Sequence, residues 1–123
     1  MRIIIAGSRD LTKELHYYIV AQAFSDAIRE WAPREVVEVV TGGARGVDAH
    51  GKDLAKNLGI AHREFPADWN KHGKAAGYIR NAEMAEYADA LVLVWDGSSR
   101  GSAHMKAAAG KQSLLIKEVV VLA

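Results

Sequence analysis

No cysteine occurs among the 123 residues. That absence excludes a disulfide framework, thiolate catalysis and cysteine-ligated zinc, and it suits a reducing, cytoplasmic setting. Proline is scarce, with 2 residues, while 50% of the chain is apolar, which excludes a proline-rich disordered segment. Charge of one sign is lacking as well: 16 lysines and arginines stand against 15 acids, for a formal net charge of +1. No overall field therefore grips a nucleic-acid backbone, and any basic site must be local. The opening apolar run, Arg2 to Ala6, is cut by Gly7 and is too short for a leader peptide or a membrane span. The length suits one compact domain over residues 1–123.

What is present is an alternation of buried strands and amphipathic helices. Arg2–Ala6, Val36–Thr41 and Ala90–Trp95 are continuous apolar or β-branched runs, the pattern of parallel strands covered on both faces. Ile60–Phe65 is shorter and more polar, as befits a strand near an edge, and Leu114–Leu122 reads as a last strand. Between them, Tyr17, Val20, Phe24, Ile28 and Trp31 line one face of a helix over Lys13–Trp31, with Thr12 as its N-cap. Further helices are expected over Val47–Leu58, over Ala75–Tyr87, with Ile79, Ala82 and Ala85 on its apolar side, and over Ser102–Ala109. Pro66–Gly73 reads as a loop. The series predicts an α/β fold, a Rossmann-like three-layer α/β/α sandwich with a parallel sheet of about five strands.

In such a sheet every strand-to-helix loop emerges at one edge, where ligands settle near the point at which the strand order reverses. Three of those loops combine glycine with arginine or a hydroxyl: Gly7-Ser8-Arg9, Gly42-Gly43-Ala44-Arg45-Gly46, and the stretch from Asp96 and Gly97 through Ser99 and Arg100 to Gly101 and Ser102. Glycine lets backbone N–H groups approach an anion, a helix start adds a favourable dipole, and a guanidinium offers a donor fork matched to phosphate. Neither a Walker lysine nor the GxGxxG fingerprint is present, so a phosphate-like group would be held by another arrangement. Asp48 is either a first-turn carboxylate favouring its helix or a ligand contact. Asp96 either binds a ligand hydroxyl or forms an Asx turn, Trp69 either stacks on a base or lids the core, and His104 either titrates beside the ligand or is structural. The five histidines show no helical pair spaced for a metal, so no metal site and no cofactor is expected.

These motifs resemble the SLOG superfamily. VVTGGARGVDAH, Val39–His50, is similar to the DNA-processing protein A pattern, as is the opening IIIAGSRD; the overall shape resembles the small stand-alone YpsA-related members. IRNAEMAEYADALVLV, Ile79–Val94, is similar to the Lonely Guy phosphoribohydrolase stretch, in which Arg80 matches the arginine used in catalysis, followed here by Asn81. DGSSRGSAHM stands where that family has its second glycine loop, but Met105 occupies the position of the catalytic glutamate.

The resemblance implies a site for a nucleotide or nucleotide-derived phosphorylated ligand. Gly7, Gly42, Gly43, Gly46, Gly97 and Gly101 would shape a cradle, Ser8, Ser99 and Ser102 would supply hydroxyls, and Arg9, Arg45 and Arg80 would neutralise phosphate. With the arginine kept and the glutamate replaced, binding or sensing is favoured over hydrolysis. The alternative is a nucleoside 5′-monophosphate phosphoribohydrolase using Arg80 with Asp96 or His104. A third reading is single-stranded nucleic-acid binding with Trp69 stacking a base. A second apolar flank on the first helix, Leu15, Tyr18 and Ile19, either serves a homodimer or packs inside the monomer.

Overall fold

The computed structural model describes residues 1–122. Eleven elements follow one another: β1 (Arg2–Gly7), α1 (Glu14–Trp31), β2 (Glu38–Thr41), α2 (Val47–Leu58), β3 (Ala61–Glu64), α3 (Trp69–His72), a 3-10 turn (Gly73–Ala75), α4 (Ala76–Tyr87), β4 (Ala90–Trp95), α5 (Arg100–Lys111) and β5 (Leu115–Val120). The strands form one parallel sheet in the order β3-β2-β1-β4-β5. This is the Rossmann-like α/β sandwich expected from the alternation.

The central strand is buried on both faces because its side chains feed two cores. Ile3 and Ile5 pack with Val20, Phe24, Val47 and Leu54 under α1 and α2. Ile4 and Ala6 point the other way and meet Met84, Ala85, Met105 and Ala109 under α4 and α5. Period-two alternation within an all-apolar run thus divides one strand between two layers. β3 lies at an edge, as its polarity predicts, and β5 lies at the other.

Several boundaries differ from the sequence expectation. The N-cap of α1 is Lys13 rather than Thr12; His16 Nδ1 accepts the Lys13 N–H at 3.1 Å and closes that end. On α4 the buried positions are Ala76, Asn81, Met84 and Ala85, whereas Ala82 is exposed, because the helix turns its Arg80–Asn81 edge toward α5. Pro66–Gly73 contains α3, which Asp68 caps by accepting the Lys71 N–H at 3.0 Å. β2 begins at Glu38 and β5 ends at Val120. α5 begins at Arg100, two residues before the expected start, so Gly101 lies inside its first turn. The second flank of α1 divides: Ile19 packs against the core, while Leu15 and Tyr18 are exposed. Among the described residues no helix is long and apolar enough to cross a membrane.

Candidate functional site

The strand order reverses between β1 and β4, and a cavity of about 440 Å³ opens at their C-terminal ends. Its volume lies in the range of small-molecule sites. The rim comes from the β1–α1 loop, the β2–α2 loop, α4 and the start of α5, and the floor is apolar, with Ala6, Met84 and Met105.

Gly7 sets the close approach from which this geometry grows. A Cβ there would lie 1.7 Å from the Val94 carbonyl oxygen, so only glycine lets β1 and β4 run side by side to their ends. Ser8 then ties three elements together. Its N–H donates to Val94 O at 3.2 Å, its carbonyl accepts from Val47 N at 3.3 Å, and its hydroxyl accepts the Asp96 N–H at 3.0 Å. Gly46 fits beneath the same turn at φ +75°, where a side chain would strike the carbonyl oxygens of Ser8 and Arg9.

Asp48, in the first turn of α2, is 5% exposed and lines the cavity. Its Oδ2 accepts from Gly42 N at 2.9 Å and from Ala44 N at 3.4 Å, which holds the glycine loop in place. Burial pushes its carboxyl up to about 6, against the opposing pull of those two N–H groups and of the Arg80 and Arg9 charges. Arg80, on α4, spends its donors elsewhere: Nη1 on the Gly42 carbonyl and Nε on Asn81 Oδ1 at 3.0 Å. Burial lowers its pKa from the ordinary arginine value, so the cation is poorly hydrated and correspondingly receptive to an anion.

Asn81 joins α4 to the start of α5. Its Nδ2 donates to the Gly101 carbonyl at 3.3 Å and lies 3.2 Å from His104 Nδ1. The end of α5 that faces the cavity has unfilled donors. Ser99 is the N-cap but makes no side-chain cap bond, and its Oγ is buried without a partner. Gly101 and Ser102 line the cavity, and a Cβ built on Gly101 would meet only open space. The first-turn N–H groups of a helix have no intrahelical acceptor, and they carry the positive end of its dipole.

The expected site residues thus separate. Gly7, Ser8, Arg9, Arg45, Asp48, Arg80, Asn81, Asp96, Ser99, Gly101 and Ser102 come together around the cavity. Gly42, Gly43, Gly46 and Gly97 shape its loops without lining it; a side chain on Gly42 would strike Arg80, and one on Gly43 would strike Glu64. Trp69 also lies outside the lining and is 52% exposed, its ring tip 3.6 Å from where a Gly77 Cβ would stand. His104 is not in the lining either: it stacks on Tyr78 at 4.2 Å between ring centroids and bonds to Asn81, and burial lowers its pKa. Asp96 forms an Asx turn, accepting from Ser98 N and Ser99 N at 2.9 Å each, and those bonds hold its carboxyl below the usual range. Arg100, at the very start of α5, is exposed and does not line the cavity.

Asp10, Ala44 and the apolar floor were not foreseen. Asp10 adjoins Arg9 in the first loop and pairs across the mouth with Arg45 at 3.4 Å, so its position beside an arginine was the available signal. Met84 had no such signal, and Met105 had only its place at the Lonely Guy glutamate position; that the two meet depends on how α4 and α5 pack.

Comparison with known proteins adds an independent line. A relative, the Gene 61 protein of Mycobacterium phage D29, is 33% identical over 126 residues, covering 92% of this chain and 91% of its own length. No solved structure matches the chain significantly. Residues 1–72 match the family described as YAcAr: YspA, cpYpsA-related SLOG family. That span runs from β1 through the loop braced by Asp48 as far as α3, and the chain belongs to this SLOG family.

Proposed function

We propose that the chain binds a nucleotide or nucleotide-derived phosphorylated ligand in the cavity at the ends of β1 and β4. Membership of the SLOG family supports a nucleotide-related role, in binding or processing, in general terms. One observation carries the specific reading: the open first turn of α5, with Gly101 and Ser102, lines a cavity that also holds Arg9 and Arg80. A phosphate seated there would fill backbone donors that the protein leaves free and would meet a partly desolvated cation. Gly101 adds no Cβ to obstruct its approach.

Binding is favoured over cleavage by what surrounds the seat. Met105, at the position of the family glutamate, is 2% exposed and belongs to the apolar floor, where it can neither give nor take a proton. Asp96 is committed to its turn, and His104 to Asn81 and Tyr78. One observation keeps phosphoribohydrolase chemistry as the second reading: Asp48 presents a carboxyl titrating at about 6 in the same cavity, the range in which general acids and bases work near neutral pH.

Isothermal titration against nucleoside monophosphates, ADP-ribose and cyclic nucleotides tests the first reading, with micromolar or tighter binding of at least one expected. Absence of binding by all of them, in protein shown to be folded, refutes it. Chromatography of the same mixtures for free base tests the second. Titration with a short single-stranded oligonucleotide at two salt concentrations separates both from backbone binding, which weakens steeply with salt.

A further inference from the structure

The cavity has three acids, and two are already engaged. Asp10 is exposed and faces Arg45, and Asp96 holds the Ser98 and Ser99 N–H groups. Asp48 differs from both. Although it is more than nine-tenths buried, only its Oδ2 is used, by Gly42 N and Ala44 N. Among the described residues Oδ1 has no hydrogen-bond partner, and it is not among the polar atoms sealed from solvent; the residue lines the cavity. The nearby cations do not claim it: Arg80 donates to the Gly42 carbonyl and to Asn81.

A carboxylate accepts through about four lone-pair sites, so this oxygen keeps acceptor capacity that a ligand can use. The loop bonds fix the orientation of the group, so the free oxygen is presented to the cavity in a set direction. Its chemistry also restricts what can stand beside it. A phosphate oxygen would be repelled, whereas a hydroxyl would donate a charge-assisted hydrogen bond. The first-turn donors of α5, at Gly101 and Ser102, belong to a different element from Asp48, while Arg9 and Arg80 lie close enough to act on its carboxyl.

We infer that Asp48 is the specificity-determining residue of this cavity: its free Oδ1 accepts a hydrogen bond from a ring hydroxyl of a sugar phosphate whose anionic group lies toward Gly101 and Ser102. The cavity then takes a phosphorylated sugar in preference to a bare phosphate or polyphosphate. The inference rests on the phosphorylated-ligand reading and adds to it the direction in which the ligand lies and the residue that selects it.

The test is calorimetric titration of the folded protein with ribose 5-phosphate, with tetrahydrofurfuryl phosphate, its analogue without ring hydroxyls, and with inorganic phosphate, repeated on Asp48→Asn. The wild type is expected to bind ribose 5-phosphate at least tenfold more tightly than the other two. In the variant a neutral amide replaces the charged acceptor, and the preference for ribose 5-phosphate over the analogue, which carries the same phosphate and so feels the same change of cavity charge, should fall at least fivefold. Equal affinities in the wild type, or a preference that persists in the variant, would overturn the inference and leave the phosphorylated-ligand reading standing. Failure of all three compounds to bind the folded wild type would overturn the inference, while the nucleotide titrations decide the phosphorylated-ligand reading separately.

Discussion

Replacing Asp48 by asparagine should stabilise the protein at neutral and alkaline pH, although it removes a charge-assisted bond to the glycine loop. The folded-state pKa is raised from 3.8 to about 6, and the cause is burial. One pKa unit is about 1.36 kcal/mol, so ionising this group in the folded state costs about 3 kcal/mol relative to ionising it in the unfolded chain. The sign follows from proton counting. Between pH 4 and pH 6 the folded state binds more protons than the unfolded state, so stability falls as pH rises through that window and is level above it. The wild type therefore has its full Asp48 contribution below about pH 4 and has lost it by about pH 7. Asparagine keeps an acceptor for Gly42 N and carries no charge, so its contribution has no such slope. The stability difference between variant and wild type should shift in the variant's favour by about 2 kcal/mol from pH 4.5 to pH 8. Urea denaturation followed by tryptophan fluorescence at those two pH values measures it, Trp95 being buried beside β5. The comparison is a difference between two proteins, so the titrations of Asp96 and Glu118, common to both, cancel. A difference that does not move with pH, or that moves the other way, would refute the buried-charge reasoning.

The glycines of the cavity should respond in opposite ways. Gly7→Ala places a Cβ 1.7 Å from the Val94 carbonyl oxygen, and the forced separation of β1 from β4 should cost upwards of about 4 kcal/mol, read as loss of soluble folded protein. Gly101→Ala meets open space within a helix, so it should leave stability unchanged or raise it by up to about 1 kcal/mol, while weakening nucleotide binding at least tenfold by titration. Asn81→Ala removes the bracket between α4 and α5 and strips Arg80 Nε of its acceptor; urea denaturation should show a loss of about 2 kcal/mol. Trp69→Ala should change stability by less than about 0.5 kcal/mol, as at other exposed positions, and should leave mononucleotide affinity within twofold; a large loss would mean that the ligand extends beyond the cavity.

Much of this architecture is legible in the chain because it depends on local pattern. The isoleucine run of β1, the alternation of strands with helices and the glycine at the end of each central strand determine a parallel sheet, and the sheet determines which loops share an edge. Arg9, Asp48 and Ser102 are candidate site residues for that reason, whereas Arg80, on a helix, is one only through the Lonely Guy resemblance. Direction within the loops was not legible. Whether a glycine faces a ligand or a neighbouring carbonyl depends on atoms distant in sequence, so only packing shows that Gly42 makes room for Arg80 while Gly101 opens on empty space. The same holds for charge. A balanced composition and an aspartate near a helix start are visible in the sequence, but the burial that raises the Asp48 carboxyl, and the loop N–H groups that occupy one of its oxygens and leave the other free, exist only once β1, β2 and α4 have met. Desolvation and hydrogen-bond saturation are properties of the assembled surroundings, and the tertiary structure alone decides them.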